Sequence, residues 1–218
     1  MSQDRKFVAV VVENLPEVQE DVKQGWIENP SALQKALREA LCPPVVQGPA
    51  RRWSEENGLI YFEVTSDGTT GPQWIERLEK EGFRLSKWAK DVLNSPEFKP
   101  TSGTTYRIAI LKGTLFTDRD RITKKIRAEA ERRKLAKPNA EVACLIREMF
   151  SDEELETMGL WWIVVFHEPI RDSGGDPCLL SAYRGSGGRW LSAYYGRPDD
   201  YWVSGSGFGF LVSQVSSS

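Results

Sequence analysis

The hydrophobic and polar positions of the first hundred residues predict strands and helices in alternation. Phe7–Val12 and Leu59–Thr65 are short runs rich in β-branched and aromatic residues, which is typical of buried strands. Ser31–Leu41 carries apolar residues at helical spacing, and Ser31 is placed to cap that helix. Two further helices are predicted downstream, one with Pro72 in its first turn and one with Ser86 as its N-cap.

The second half of the chain predicts a strand, then helices, then several strands. Tyr106–Leu111 and the continuous apolar run Leu160–Phe166 are expected to be strands. Three helices are predicted between these two strands, over 119–135, 139–150 and 151–159. No helical period follows Pro169, where short strands and glycine-rich turns are expected. This order of elements predicts an α+β fold.

Capping residues indicate where these helices begin and end. Asp118 or Asp120 can start the first of them, since aspartate is a favoured N-cap. Ser151 and Glu154 have the spacing of a capping box for the last, which Gly159 would close.

A stretch rich in turn residues, Asn94–Thr104, is the candidate domain boundary. It predicts an N-terminal α/β segment over residues 1–98, of unknown role, and a second domain over 101–218. The chain of 218 residues is long enough for either one large domain or two small ones.

Composition narrows the classes of function. Hydrophobic residues make up 40% and charged residues 28%, as in an ordinary soluble globular protein, and the formal net charge is only -2. That charge does not favour binding to nucleic acid or to an anionic membrane. No stretch reaches transmembrane length and no signal-peptide pattern opens the chain, so a cytoplasmic location is expected, with signal-independent export left open.

The candidates for catalytic or metal chemistry are few. The single histidine, His167, precedes Glu168, so an HExxH motif or a site of several histidines is excluded. The three cysteines are far apart, which argues against zinc. We expect a protein that is not an enzyme and holds no cofactor or metal. Two alternatives stay open: an enzyme of unknown reaction using His167 with nearby carboxylates, and nucleic-acid binding through the basic helix 119–137.

The tail from Gly188 to Val212 uses a different vocabulary from the rest of the chain. It is rich in Tyr, Trp, Ser and Gly, and it contains no Lys, Glu, Gln, Met or Asn. Tyr, Ser and Gly also dominate antibody paratopes, because Tyr gives contact area at low entropic cost and Ser and Gly give adaptable hydrogen bonding. The genetic code offers a reason for the missing residues. Randomising the adenines of AAC-type codons yields Tyr, Ser, Asp, Gly, Val and Arg, whereas Trp and Phe codons contain no adenine.

The codon argument divides the C-terminal residues into two sets: a contact set that adenine randomisation can produce, and a scaffold set whose codons can lack adenine. The residues expected to form a ligand-binding face are Ser181, Tyr183, Ser192, Tyr194, Tyr195, Arg197, Asp199, Asp200, Tyr201, Val203, Ser204 and Ser206. The residues expected to form the scaffold are Trp190, Trp202, Gly207, Phe208 and Phe210. Burial of the second set against exposure of the first is the structural expectation.

The motifs "GRWLSAYYG", Trp202 and "GFGF" resemble the variable proteins of diversity-generating retroelements. The resemblance implies a C-type-lectin-like fold over 101–218 and a hypervariable region over about 179–212, rewritten at adenines by an error-prone reverse transcriptase. It also implies a non-catalytic ligand-binding protein whose unknown ligand is a protein or another macromolecule. Neither calcium, nor nucleic acid, nor a membrane span is expected to take part.

Overall fold

The computed structural model describes residues 5–6, 10, 13, 17–41, 51–185 and 187–213, with only the backbone given for 38–41. Contacts divide the chain into two compact units, Met1–Ala50 and Arg51–Ser218. The strand predicted at Phe7–Val12 lies outside the described residues, apart from Val10, which is helical.

Two helices of the first unit have their bounds within the described residues, α1 (Glu20–Glu28) and α2 (Pro30–Leu41), and the described residues 5–6, 10 and 13 are helical as well. The second confirms the helix predicted from apolar spacing, but Ser31 is not its cap. Asn29 has that role, because its side-chain oxygen accepts the Ala32 N–H at 3.3 Å. Asn caps as well as Ser does, and Pro30 behind it favours the first helical position, so the helix begins before Ser31.

The second unit is built on one mixed sheet. Its strands are β1 (Ser54–Glu56), β2 (Leu59–Asp67), β3 (Arg84–Leu85), β4 (Ser102–Lys112), β5 (Leu135–Ala136), β6 (Trp162–Val165), β7 (Ile170–Arg171), β8 (Pro177–Gly185), β9 (Gly188–Tyr195) and β10 (Ser206–Val212). They pair in the order β1-β2-β4-β10-β6-β8-β9-β3, while β5 pairs with β10 and β7 with β8. The pairs β10–β6 and β3–β9 are parallel and the others antiparallel. The chain is therefore a mixed α/β protein.

Helices pack on both faces of this sheet. They are α3 (Gly71–Lys80), α4 (Lys87–Leu93), α5 (Thr123–Arg132), α6 (Val142–Met149) and α7 (Asp152–Thr157), with a 3-10 turn at Gly113–Leu115. The predicted cap Ser86 is confirmed, because its hydroxyl accepts the Ala89 N–H at 3.1 Å. The capping box of Ser151 and Glu154 is confirmed as well.

Helix α5 begins later than predicted, and neither Asp118 nor Asp120 caps it. Its first residue is Thr123, and its first N–H groups bond to the tail instead. Thr123 donates to the Asp200 carbonyl at 3.1 Å and Lys124 to the Pro198 carbonyl at 2.8 Å. A distant backbone segment thus satisfies the donors that a local aspartate would otherwise take.

The central strands are buried on both faces, which explains their continuous apolar runs. On β4, the side chains of Ile108 and Ile110 belong to one hydrophobic cluster, which also contains side chains from helices α3, α4 and α6. Ala109 and Leu111 point into a second cluster, which α5 and the tail cover. The second cluster is where the tail side chains lie.

The domain boundary predicted at Asn94–Thr104 is wrong. β2 pairs with β4 from Leu59 opposite Leu111 to Thr65 opposite Thr105, so residues 51–98 belong to the same unit as the tail. Turn-rich composition marks a change of chain direction, but it does not say whether the next strand returns to the same sheet. The observed division lies between Ala50 and Arg51. Among the described residues no helix is both long and apolar enough to cross a bilayer.

Candidate functional site

The hairpin of β8 and β9 carries the first part of the predicted ligand-binding face. Side chains alternate across a strand, so one side of the hairpin enters the first hydrophobic cluster and the other faces α5 and the tail. The second side is formed by paired positions, with Ser181 opposite Ser192 and Tyr183 opposite Trp190. Four predicted contact residues of this hairpin therefore share one face of the sheet: Ser181, Tyr183, Ser192 and Tyr194. Tyr195, the last residue of β9, pairs with Cys178 and by alternation belongs to the other face.

An aromatic cluster covers part of this face. The ring centroid of Trp162, on β6, lies 5.4 Å from that of Tyr183 and 5.3 Å from that of Tyr194. Because Tyr194 belongs to β9, the Trp162 indole extends across β8. Its Nε1 donates to the hydroxyl of Ser206. The rings close over the small side chains of the sheet.

Three predicted contact residues are buried beneath these rings and are corrected to scaffold positions. They are Ser181, Ser192 and Ser206. The cause is size, because a serine leaves room for a large ring from the neighbouring strand, and that ring then excludes solvent. These hydroxyls cannot meet a ligand in this conformation.

The segment between β9 and β10 leaves the sheet and forms a loop held at several points. The Gly196 N–H donates to the Pro177 carbonyl at 2.8 Å, and the Arg197 N–H donates to Asp200 Oδ2 at 2.8 Å. The Trp202 N–H donates to the Arg121 carbonyl at 3.0 Å. The loop is thus an ordered structure with fixed side-chain directions.

Trp202 is the anchor of this loop. It is only 8% exposed, and its indole packs on Phe166, Phe208 and Tyr194. Its Nε1 donates to Thr123 Oγ1 at 3.0 Å, which joins the loop to α5. Since neighbours in an extended segment point to opposite sides, Tyr201 and Val203 are directed outward and are 73% and 54% exposed.

These side chains surround a surface cleft of about 260 Å³, here called the aromatic cleft. Its lining residues are Trp162, Tyr194, Tyr195, Asp200, Tyr201, Trp202 and Val203. A surface of this kind offers large, rigid contact area with polar tips, which is the chemistry that protein interfaces and paratopes use.

The remaining predicted residues fall into exposed, half-buried and buried groups. Those exposed are Tyr195, Arg197, Asp199, Tyr201, Val203 and Ser204, and those half-buried are Tyr183, Tyr194 and Asp200. Of the predicted scaffold, the buried residues are Trp202, Gly207, Phe208 and Phe210, whereas Trp190 is half-buried beneath the guanidinium of Arg84.

Charges at the edge of the aromatic cleft are arranged in pairs. Arg197 forms an ion pair with Asp176, and its guanidinium lies 4.7 Å from the ring centroid of Tyr195. Lys124 Nζ lies 2.6 Å from a carboxylate oxygen of Asp199. Burial raises the pKa of the Tyr194 phenol, so that this group is neutral and serves as a hydrogen-bonding tip.

His167 is held in a structural role. It is 1% exposed; its Nδ1 donates to the Glu168 carbonyl at 2.6 Å and its Nε2 accepts the Leu180 N–H at 3.0 Å. Burial lowers the pKa of the ring to about 4. Both ring nitrogens therefore form hydrogen bonds with backbone groups, and Glu168 is paired with Lys137. This arrangement favours a structural role, in which the ring links the end of β6 to β8, over a role in proton transfer.

The basic helix is also largely neutralised. Its ion pairs are Lys124–Asp199, Lys125–Asp120, Arg132–Glu129, Arg133–Glu129 and Lys137–Glu168. Arg127 donates instead to the carbonyls of Phe166 and His167. A surface in which most cations are already paired releases few counterions from phosphates, so it does not favour nucleic-acid binding.

The sequence analysis does not place Trp161 and Trp162 at the site, because the continuous apolar run Leu160–Phe166 predicts a strand that is buried throughout. Trp161 is 54% exposed, and Trp162 lines the aromatic cleft. The signal was available in the double Trp at the start of the apolar run, since adjacent residues of a strand face opposite sides. In the described parts of the chain, no cluster of three or more His, Cys, Asp or Glu side chains could hold a metal ion.

Replacing the anchor should cost far more stability than replacing its exposed neighbour. We expect Trp202→Ala to lower the free energy of unfolding by about 3–5 kcal/mol, because a large buried ring leaves a cavity. Tyr201→Ala should change it by about 0.5 kcal/mol or less, since that side chain is solvated. Denaturant titration measures both. Equal losses for the two variants would contradict the division into scaffold and surface.

The buried histidine should make folding pH-dependent. The unfolded ring takes up a proton near pH 6.5, while the folded ring stays neutral down to about pH 4. The contribution of the neutral His167 ring to the free energy of unfolding is therefore fully present above pH 6.5. It is lost as the pH decreases toward 4, by about 3 kcal/mol in total. His167→Gln should flatten this slope in denaturant titrations at several pH values.

The chain contains one histidine, so its imidazole resonances can be followed in the native protein without assignment. They should show no titration between pH 8 and pH 5. A ring that titrates in the native protein near its ordinary pKa would contradict the buried, neutral assignment, whatever the variant does.

The aromatic cleft and its anchored loop are the one feature of the described residues where predicted contact residues, exposure and concave shape coincide. His167 lines a cleft of about 240 Å³ and the basic helix lines one of about 480 Å³, but Arg197 is the one predicted contact residue among the residues that line those two clefts. The chain was compared with protein-family models, with curated proteins and with solved structures, and none of them matches.

Proposed function

We propose that the protein is a non-catalytic ligand-binding protein whose C-terminal face is diversified by a retroelement. The contact residues of this proposal are the exposed and half-buried members of the predicted set, here called the tail surface: Tyr183, Tyr194, Tyr195, Arg197, Asp199, Asp200, Tyr201, Val203 and Ser204. The ligand is a protein or another macromolecule, bound on the aromatic cleft and the loop beside it.

The observation that carries the proposal is the sequence Tyr201–Trp202–Val203. Tyr and Val are residues that adenine randomisation can produce, and here both point to solvent. Trp is a residue whose codon contains no adenine, and it is the buried anchor. Agreement between what the code can change and what solvent reaches is expected if selection acts on a surface while a scaffold stays constant.

The composition of the tail surface supports macromolecular binding. Tyr side chains supply apolar area with a polar tip, and they dominate the energetics of many protein interfaces. The charged residues at the edge, Arg197 and Asp199, would form the polar rim of such an interface. Because the loop is fixed by hydrogen bonds and by Trp202, little conformational entropy remains to be lost on binding.

We further propose a C-type-lectin-like fold for the part of the chain from β4 onward. The element order supports it: a first strand, helices α5 and α6, then strands β6, β8, β9 and β10, with the first and last strands antiparallel neighbours. On this proposal β1 to β3, with α3 and α4, are additions that extend the same sheet.

The DNA of the locus tests the diversification. We expect a second, near-identical copy of the DNA encoding residues 179–212 beside a gene for a reverse transcriptase. The two copies should differ almost only at adenines, and the differing codons should include those for Tyr195, Tyr201 and Val203. A locus without such a copy, or with differences concentrated at Trp202 and Phe208, would refute the proposal.

Tolerance to substitution tests where the tail surface lies. One displayed library randomises Tyr195, Tyr201 and Ser204, and its matched control randomises the same number of buried positions, Ser181, Ser192 and Ser206. After protease challenge, we expect about tenfold more surviving members in the first library. Substitutions at buried positions overpack the core or leave polar groups without hydrogen-bond partners, at a cost of about 1–3 kcal/mol each. Equal survival would place the variable positions elsewhere.

A further inference from the structure

The walls of the aromatic cleft are formed almost entirely by aromatic residues. Among its lining residues, Asp200 is the only one with a formal charge, and all the others except Val203 are aromatic. Ring centroids lie 5.3 Å apart for Trp162 and Tyr194, and 6.4 Å apart for Tyr194 and Trp202. The faces of such rings carry negative potential, so a cation that lies against an exposed ring face is attracted to it.

The Asp200 carboxylate forms no ion pair within the part of the chain that the structure describes, although the Arg197 guanidinium interacts with it electrostatically. Its Oδ2 accepts the backbone N–H of Arg197 at 2.8 Å, and no lysine or arginine side chain there forms an ion pair with it. The neighbouring acids differ, because Asp199 is paired with Lys124 and Asp176 with Arg197. The half-buried Asp200 carboxylate at the cleft therefore accepts a backbone hydrogen bond but has no ion-pair partner of its own among the described residues.

The protein already uses the matching contact elsewhere on its surface. The Arg184 guanidinium lies 4.4 Å from the Trp161 ring, and the Arg197 guanidinium lies 4.7 Å from the Tyr195 ring. Arg197 stands at the cleft edge, but its charge is taken by Asp176. The cleft of about 260 Å³ stays open beside it.

We propose that the aromatic cleft receives the guanidinium of an arginine side chain presented by the protein ligand. This inference rests on the proposed ligand-binding function and names the chemistry of the partner. Arginine fits better than lysine because its planar group is weakly hydrated, stacks on rings and donates directed N–H bonds to a carboxylate. The guanidinium would lie in the cleft against the rings of Trp162, Tyr194 and Tyr201 and donate to Asp200.

A titration with a small probe tests the cleft. The probe is N-acetyl-arginine methylamide, and its control is the citrulline analogue, which has nearly the same shape without the charge. Ionic strength is held constant with sodium chloride. Indole N–H resonances of Trp162 and Trp202, assigned through Trp162→Phe and Trp202→Phe variants, report binding. We expect shifts that saturate with the arginine probe and no comparable response to the citrulline analogue.

Two acids, one in the cleft and one remote from it, supply matched variants of equal net charge. Asp200→Asn keeps an oxygen that can accept the Arg197 N–H, so the loop should stay folded, but it removes the charge from the cleft. We expect it to weaken binding of the arginine probe about tenfold. Glu76→Gln removes an exposed carboxylate from α3, which packs on the other face of the sheet from the cleft, and should leave the affinity within about twofold of the parent protein.

Several results would overturn this assignment. They are an equal response to the arginine and citrulline probes, an equal loss for Asp200→Asn and Glu76→Gln, and a response to a neutral methyl glycoside in place of the arginine probe, which would indicate a sugar site. The titration reports only on the cleft. A negative result would leave the diversification of the tail intact, and a locus without a second DNA copy would not alter the titration.

Discussion

The packing of Trp202 between the sheet and helix α5 is the interaction on which the site depends. Its ring contacts Phe166 and Phe208, and its Nε1 bonds to Thr123. Together with the backbone hydrogen bonds of Gly196 and Arg197, this side chain holds the loop after β9, and its burial directs Tyr201 and Val203 to solvent. A side chain of this size contributes about 3–5 kcal/mol by its burial, which is comparable to much of the stability of an ordinary domain.

The loop and helix α5 stabilise each other through the backbone. The carbonyls of Pro198 and Asp200 accept the first N–H groups of α5, which an isolated helix would leave unsatisfied. The partial positive charge at this helix end also lies beside the acidic Asp199 and Asp200. Side chains that point away from these contacts can change without disturbing them, so the surface and the support are physically separate.

The sequence predicted most elements of the second unit, because its signals were local. Capping by Ser86 and Ser151 and the strand beginning at Leu59 depend on neighbours within a few residues. The start of α5 could not be predicted, because its donors are satisfied by a loop almost eighty positions away in the chain. The domain boundary failed for the same reason, since only long-range pairing of β2 with β4 shows that the chain returns to one sheet.

The serines at the site show why composition alone cannot separate a contact surface from its support. Ser181 and Tyr201 belong to the same paratope-like vocabulary, yet one is buried beneath an indole and the other is exposed. A small residue on a sheet is covered whenever a large ring on the next strand leans over it, and that depends on register. The covered serines still matter for binding, because they let Trp162 lie across β8 against Tyr194. A ring held in that way loses little conformational freedom when a ligand binds. The buried serines therefore preorganise the aromatic side chains that line the cleft.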